Sequence, residues 1–122
     1  VDFHNKKYIE YLENMLPEKS KMARKVLGKS GLEVSVLGFG GIPIQNVNQE
    51  GVTAIIKELK DNDINFIDTA RGYTVSEGLI GNAIENREDF IIATKSMAAT
   101  YKDMKKDIEI SLKELKTDYI DL

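Results

Sequence analysis

A chain of 122 residues with a net charge of −3 is long enough for one globular domain. Its hydrophobic content of 42% allows a buried core, and 17 basic against 20 acidic residues provide no positive excess to attract nucleic acid. The absence of cysteine excludes disulfides and thiolate metal sites within the chain, and no other metal site is predicted. Because the sequence has neither an apolar run of about 20 residues nor a secretory signal pattern, we expect no membrane association and a cytoplasmic location.

The first segment of the chain differs from the rest and reads as a leader. The segment is predicted to form a helix that Asp2 caps and Pro17 ends. The prediction rests on apolar residues that recur at helical spacing: Tyr8, Ile9, Leu12, Met15 and Leu16. Such a helix either docks on the fold or binds a partner, and the sequence leaves both open. We therefore divide the chain into residues 1–23, a leader helix and linker, and residues 24–122, the main domain.

The main domain alternates between short apolar runs and amphipathic helices. A turn at residues 28–31 separates the arms 25–27 and 33–37 and predicts a hairpin whose second arm continues into the first buried strand. Further strands are predicted at 64–68, at 90–94 and from 119 onward. Helices are predicted from about 48 to 60, after a cap at Ser76, and after a capping box of Thr100 with Asp103. This alternation implies right-handed βαβ units and a parallel sheet.

Two architectures fit a parallel α/β pattern of this kind. A doubly wound open sheet can be complete at this length, whereas a closed (β/α)₈ barrel needs about 250 residues, of which roughly half would be present. The alternation of strands and helices does not choose between them, so the choice rests on motifs.

Charged residues follow two of the predicted strands. Asp68 ends the strand at 64–68 and Lys95 follows the strand at 90–94, and the carboxyl ends of neighbouring parallel strands meet at one edge, which predicts an ion pair. Tyr73 lies on the loop after Asp68. Taken singly, these residues are equally well read as a turn aspartate, a solvated lysine and a packed loop tyrosine. Together they suggest acid catalysis, because a nearby ammonium lowers the pKa of a tyrosine from its ordinary value of about 10.

Five motifs in order resemble the aldo/keto reductase superfamily over residues 24–122. They are RKVLGKSGLEVS at 24–35, LGFGG at 37–41, FIDTARGY at 66–73 followed by Ser76 and Glu77, ATK at 93–95, and DYIDL at 118–122. One departure is Thr74, where many relatives have glycine directly after the tyrosine. Each motif is weak alone, but their order and spacing together are specific.

The resemblance implies a fold and an activity. The fold would be a (β/α)₈ TIM barrel of aldo/keto reductase type, of which the chain holds the N-terminal hairpin and about the first four strands. Members reduce aldehydes or ketones, small-molecule carbonyl substrates, by hydride transfer from NADPH. Tyr73 matches the proton donor, Lys95 the group that lowers its pKa, and Asp68 the carboxylate that pairs with the lysine. The family's fourth catalytic residue is a histidine beyond the last motif, and His4 is not a match for it.

The glycine-rich stretch at 38–41 is not the dinucleotide fingerprint G-x-G-x-x-G, because Pro43 stands at the third glycine position. In the family this loop approaches the nicotinamide end of the cofactor, so the resemblance implies Gly40, Gly41, Ile42 and Asp68 as cofactor contacts. The other interpretation of the stretch is a simple turn at a strand end.

A further expectation concerns length, because the family binds the cofactor's pyrophosphate and adenosine with loops after later strands. We therefore expect an incomplete barrel that is inactive alone and covers its open inner face by self-association or by binding a complementary C-terminal half. The alternative function is a non-catalytic NADP-binding or regulatory barrel relative.

Overall fold

A computed structural model of the chain describes residues 6–15 and 22–122. In the leader, helix α1 spans Lys6–Met15, as the spacing of apolar residues predicted, and Leu12 and Met15 are exposed on it. The predicted cap Asp2 and the predicted end at Leu16 and Pro17 lie outside the described residues, as does His4.

The main domain opens with an antiparallel hairpin. Strand β1, Arg24–Val26, pairs with strand β2, Glu33–Ser35, and the turn between them uses positive φ angles at Gly28 and Gly31, which glycine adopts without a steric penalty. The Leu27 N–H donates to the Leu32 carbonyl across 2.8 Å and closes the turn. The predicted hairpin is therefore confirmed.

The prediction that the second hairpin arm continues into the first buried strand is wrong. Strand β2 ends at Ser35, the chain bends through two exposed residues, and strand β3 begins at Gly38 and ends at Gly40. The bend is held by Ser35, whose N–H donates to Asn65 Oδ1 at 2.7 Å and whose hydroxyl donates to the Leu37 carbonyl at 2.6 Å. Residues 38–40 of the glycine-rich stretch thus form a strand themselves, and the stretch is not simply a turn at a strand end.

The three central strands form a parallel sheet in the order β3-β4-β5, with β4 at Phe66–Asp68 and β5 at Ile91–Ala93. Helix α2 spans Gln49–Asp61, α3 spans Ser76–Ala83 and α4 spans Tyr101–Glu114. The core between sheet and helices consists of aliphatic and aromatic side chains: Ile44, Val52, Ile56, Leu59, Ile67, Ile80, Ala83, Phe90, Ile92 and Leu115. The parallel sheet that the alternation predicted is confirmed.

Two predicted helix starts have different outcomes. Thr100 caps α4, since its hydroxyl accepts from the Asp103 N–H at 3.1 Å, as predicted. Ser76 does not cap α3 but is its first residue, and the cap position, Val75, makes no side-chain hydrogen bond. The Ser76 hydroxyl is buried instead and shares a 2.8 Å hydrogen bond with Thr69, because this turn of α3 packs under the end of β4.

The C-terminal segment lies beside β5 without forming a regular strand, contrary to the prediction from residue 119 onward. It is joined to β5 by the Leu122 N–H, which donates to Ile92 at 3.2 Å, and by the Leu122 carbonyl, which accepts from Thr94 at 2.9 Å. On the nearby helix α4, Met104 and Ile108 are 37% and 46% exposed, so this face of the fold lacks a cover. The described residues contain no closed barrel and no helix long and apolar enough to cross a membrane.

Candidate active site

The carboxyl ends of β4 and β5 bring Asp68 and Lys95 together, as their positions at two strand ends predicted. The Lys95 ammonium lies 3.0 Å from both carboxylate oxygens of Asp68 and donates a further hydrogen bond of 2.7 Å to the Thr69 carbonyl. The two side chains are about half exposed, at 50% and 49%, so the pair is open to solvent on one side. The pair is held in place by the Thr69 carbonyl and is accessible to solvent, so it could contact a bound ligand.

Tyr73 completes a group of three. Its N–H donates to the Ala70 carbonyl at 3.1 Å and its carbonyl accepts from the Ser76 N–H at 2.8 Å, which hold the loop in a tight turn before α3. The Lys95 ammonium is 4.9 Å from the centre of the Tyr73 ring, within the range of a cation–π contact. The structure thus brings Asp68, Tyr73 and Lys95 to one place, while their catalytic roles stay a prediction.

The pKa of Lys95 is raised above its ordinary value. Partial burial removes water from the ammonium and acts to lower this pKa, but hydrogen bonding and charge interactions with Asp68 and Tyr73 outweigh that effect. Lys95 is therefore a cation throughout the neutral pH range.

The four residues predicted to contact the cofactor differ in their exposure to solvent. Gly41 is buried, its N–H donates to the Asp68 carbonyl at 2.8 Å, and a Cβ there would lie 2.6 Å from Ser76 Oγ, so packing requires this glycine. Gly40 pairs with Asp68 in the sheet and has no atom within 4 Å of an added Cβ, and Ile42 is 54% exposed. Gly40, Ile42 and Asp68 are therefore open to solvent, whereas Gly41 is not.

A hydrogen-bonded side chain ties the tyrosine loop to the glycine loop. Thr74 follows Tyr73 with a positive φ of 44° and donates from its hydroxyl to Gln45 Oε1 at 2.8 Å. The Gln45 amide donates in turn to the Ile42 carbonyl at 3.0 Å. Sequence reasoning missed Gln45, because this contact spans 29 positions and no local pattern indicates it.

A buried ion pair beneath the site was also missed. Glu77, 1% exposed in its side chain, pairs with Arg71, and its carboxylate also accepts from the hydroxyls of Thr94 and Ser111 at 2.7 Å each. From the sequence, Glu77 was named only as part of the motif that follows Tyr73, and a glutamate in the first turn of a helix is ordinary, so its burial and its partners were not predicted. Within the described residues, no group of three or more histidine, aspartate or glutamate side chains could hold a metal ion.

Comparison with known proteins agrees with the fold. The profile of the aldo/keto reductase family matches residues 36–122. An Arabidopsis thaliana L-galactose dehydrogenase is 33% identical over 121 residues, covering 84% of the chain and 37% of that protein. A probable voltage-gated potassium channel subunit beta of the same plant is 32% identical over 118 residues (83% and 36%). The methylglyoxal reductase DkgA of Escherichia coli K12 is 41% identical over 81 residues (64% and 29%).

Solved structures give the same result. A putative aldo-keto reductase from Pseudomonas aeruginosa superposes with a TM-score of 0.77 at 28% identity, over 83% of the chain and 46% of that structure. A holo-form aldo-keto reductase from Bacillus halodurans has a TM-score of 0.71 at 32% identity (81% and 38%). A Klebsiella pneumoniae aldo-keto reductase in complex with NADPH has a TM-score of 0.71 at 25% identity (81% and 38%).

The chain spans 37% and 36% of the two plant relatives, so it corresponds to a part of their length. Within that part, the fold of the chain, with its parallel strands and helices, superposes on solved aldo-keto reductase structures. The chain belongs to the aldo/keto reductase family, and its fold is the N-terminal part of that family's (β/α)₈ barrel.

Proposed function

We propose that this chain contributes the proton-donating half of an oxidoreductase site that reduces aldehydes or ketones with NADPH. The observation that carries the proposal is the cluster at the carboxyl ends of β4 and β5, where the Lys95 ammonium contacts both Asp68 and Tyr73. In a parallel barrel this edge is where active sites lie. An acid, a fixed cation beside it and an anion that holds the cation are what proton donation to a carbonyl oxygen requires.

Each residue has a separable part in the proposed reaction. The Tyr73 hydroxyl donates a proton to the substrate's carbonyl oxygen, and Lys95 stabilises the resulting phenolate by its charge. Asp68 orients Lys95, assisted by the Thr69 carbonyl. A bound NADPH supplies the hydride that the carbonyl carbon receives. The proton and hydride together convert the carbonyl to an alcohol.

The residues present fit one end of that cofactor. Gly40 and Ile42 are exposed, Gly40 pairs in the sheet with Asp68, and Asp68 binds the Lys95 ammonium, so we propose that these residues contact the nicotinamide ring while the buried Gly41 supports the loop. The structural relative from Klebsiella pneumoniae in complex with NADPH supports this cofactor, and the Escherichia coli relative named a methylglyoxal reductase supports a small carbonyl compound as substrate.

A second candidate function is a regulatory barrel that binds the cofactor without turning over substrate. It is favoured by one relative of this chain, a probable voltage-gated potassium channel subunit beta. The joint presence of Asp68, Tyr73 and Lys95 in contact favours the enzyme, and the test below distinguishes the two.

The test supplies this chain with the strands and helices that complete the barrel in the Bacillus halodurans relative, adds NADPH and a reactive aldehyde, and follows the loss of NADPH absorbance. We expect Tyr73→Phe, which removes only the hydroxyl, to reduce turnover by about 10²-fold or more while cofactor binding persists, as for a lost general acid. Lys95→Met should lose activity as well. Turnover of Tyr73→Phe equal to the wild type would exclude Tyr73 as the acid, and NADPH binding without turnover would favour the regulatory function.

We also propose that the exposed face formed by α4 and the C-terminal segment packs against the remaining strands and helices of a barrel. Met104 and Ile108 lie on that face, and apolar surface of this kind is normally covered.

Alone, the chain should not reduce carbonyls. Positioning of the hydride donor and the acceptor can lower the activation barrier by about 7–11 kcal/mol, and the proposed site contacts only the nicotinamide end of the cofactor. When this chain is mixed with a complementary C-terminal half of a barrel, we expect light scattering to show a one-to-one complex and activity to appear only in that mixture. A homodimer of the chain would instead indicate that the face is covered by self-association.

A further inference from the structure

Glu77 is a buried charge that the proposed proton transfer does not use. Its side chain is 1% exposed, yet it is an acceptor-only carboxylate that must be fully paired to remain charged away from water. One oxygen, Oε2, receives the Arg71 guanidinium. The other, Oε1, receives the hydroxyls of Thr94 and Ser111, each at 2.7 Å. All these partners donate to the carboxylate, so the arrangement is specific to an anion.

The partners of Glu77 belong to the segments that carry the active-site residues. Arg71 lies on the loop between Asp68 and Tyr73, and its N–H donates to the Lys95 carbonyl at 2.9 Å. Thr94 directly precedes Lys95. A single carboxylate thus joins the tyrosine loop to the lysine at the end of β5, the two parts whose separation determines the ammonium-to-ring distance.

The first turn of α3 adds a second connection at the same place. Ser76, next to Glu77, shares a buried 2.8 Å hydrogen bond with Thr69, and the Thr69 carbonyl accepts from the Lys95 ammonium at 2.7 Å. Ser111 anchors the same carboxylate to α4. The start of α3 therefore holds Lys95 in two ways: Ser76 acts through Thr69 on the ammonium, and Glu77 acts through Arg71 and Thr94 on the backbone next to Lys95.

A purely stabilising role is the competing explanation. Burying an ion pair costs desolvation that its attraction often only balances, so a buried pair is weak support for a role in stability alone. In some proteins such a pair instead defines a geometry, because both charges must keep their partners. That property matters where two side chains must be held at a fixed distance.

We propose that Glu77, acting through Arg71 and Thr94, is a positioning residue that fixes the Lys95 ammonium against Asp68 and Tyr73. Glu77 touches none of the reacting groups and acts only through the segments it joins. The proposal deepens the proposed function, but its structural content, the placement of Lys95, is measurable in this chain without any turnover.

The decisive variant is Glu77→Gln, which keeps the volume and the acceptor for the two hydroxyls but removes the charge facing Arg71. The matched control is Asp121→Asn, because Asp121 and Arg87 form another partly buried ion pair, with both side chains 14% exposed and a separation of 2.7 Å. Asp121 also accepts from the Ile92 N–H on β5 at 2.9 Å, so the control disturbs the same strand three residues before Lys95. Both variants break a buried pair, and only one of these pairs lies under the site. Urea denaturation reports how much stability each variant loses.

The readout is nuclear magnetic resonance of the chain with labelled lysine and tyrosine. In Glu77→Gln we expect the nuclear Overhauser contact between the Lys95 side chain and the Tyr73 ring to weaken and the Lys95 titration to move to lower pH. Asp121→Asn should leave both as in the wild type. Unchanged Lys95 signals in Glu77→Gln would overturn the proposal, as would an equal change in Asp121→Asn, which would mean general loosening.

A second pair of variants keeps the test decisive if Glu77→Gln does not fold. Thr94→Val removes the hydroxyl that Glu77 receives and Thr94→Ser retains it, so only the valine variant should displace Lys95, and equal behaviour of the two would overturn the proposal. In the completed barrel, Glu77→Gln should lower kcat by about 10²-fold with KM little changed, the cost of a small misplacement. If neither the wild type nor any variant turns over substrate, the proposed function fails, and the resonance data still test whether Glu77 positions Lys95.

Discussion

Two glycines one turn apart on α3 should respond in opposite ways to the same substitution. At Gly81 an added Cβ would collide with the Glu114 carbonyl oxygen and lie 2.7 Å from the backbone of Leu115, at the end of α4. At Gly78 the nearest atom, at 2.8 Å, is Oε2 of the Glu114 side chain, which is exposed and free to move aside. Gly81→Ala therefore meets rigid backbone, whereas Gly78→Ala meets the flexible end of a side chain.

The magnitudes follow from two opposing effects. Replacing glycine by alanine inside a helix stabilises it by about 1 kcal/mol, and this gain applies to both positions. Forcing a methyl group into close-packed backbone costs about 3 kcal/mol at the upper end of the observed range, and this cost applies to Gly81 alone. We expect Gly81→Ala to lose about 2 kcal/mol in the free energy of unfolding and Gly78→Ala to gain up to about 1 kcal/mol.

The assay is urea denaturation followed by far-ultraviolet circular dichroism. A difference of about 3 kcal/mol between the two variants corresponds to midpoints roughly 1.5 M apart for a slope of about 2 kcal/mol/M. Because the helix-propensity gain is common to both variants, their difference isolates the contact between α3 and α4. Equal stability of the two variants would refute the close approach of α4 to Gly81.

The remaining predictions concern a helix end and the ion pair of the site. Lys116 lies just after α4 with a φ of 53°, and the following N–H, that of Thr117, donates to the Leu112 carbonyl at 3.1 Å. Because glycine adopts this left-handed conformation without a steric penalty, Lys116→Gly should raise the free energy of unfolding by about 1 kcal/mol in urea denaturation. A loss of stability would contradict this geometry. Lys95→Met should cost less than about 1 kcal/mol at neutral pH, since the pair is half exposed. Because the folded-state pKa of Lys95 is raised, this difference should be full below the ordinary value of 10.5 and vanish as pH rises through the raised pKa, when wild type and variant are compared by thermal unfolding; a difference that persists at higher pH would contradict it.

The fold class and the charged residues at the strand ends could be predicted from the sequence alone. Apolar runs that alternate with helical spacing predict parallel strands connected by helices, and the carboxyl ends of such strands share an edge, so Asp68 and Lys95 were predictable neighbours. The capping hydroxyl of Thr100 was predictable too, because the bond it makes is local. These features depend on residues near one another in the chain or on the periodicity of a single element.

The position of the first parallel strand and the residues that support the site could not be predicted, because both depend on contacts between distant segments. The residues 33–37 have a strand-like composition, but the chain bends after Ser35 because Asn65, thirty positions away, binds its N–H. Ser76 looks like a cap, yet burial beside Thr69 gives its hydroxyl another partner. Glu77 collects donors from three segments, two of them 17 and 34 positions distant, and no local pattern contains that information. Such contacts form only once the strands and helices have packed, since burial and not sequence spacing selects the partner of each polar group.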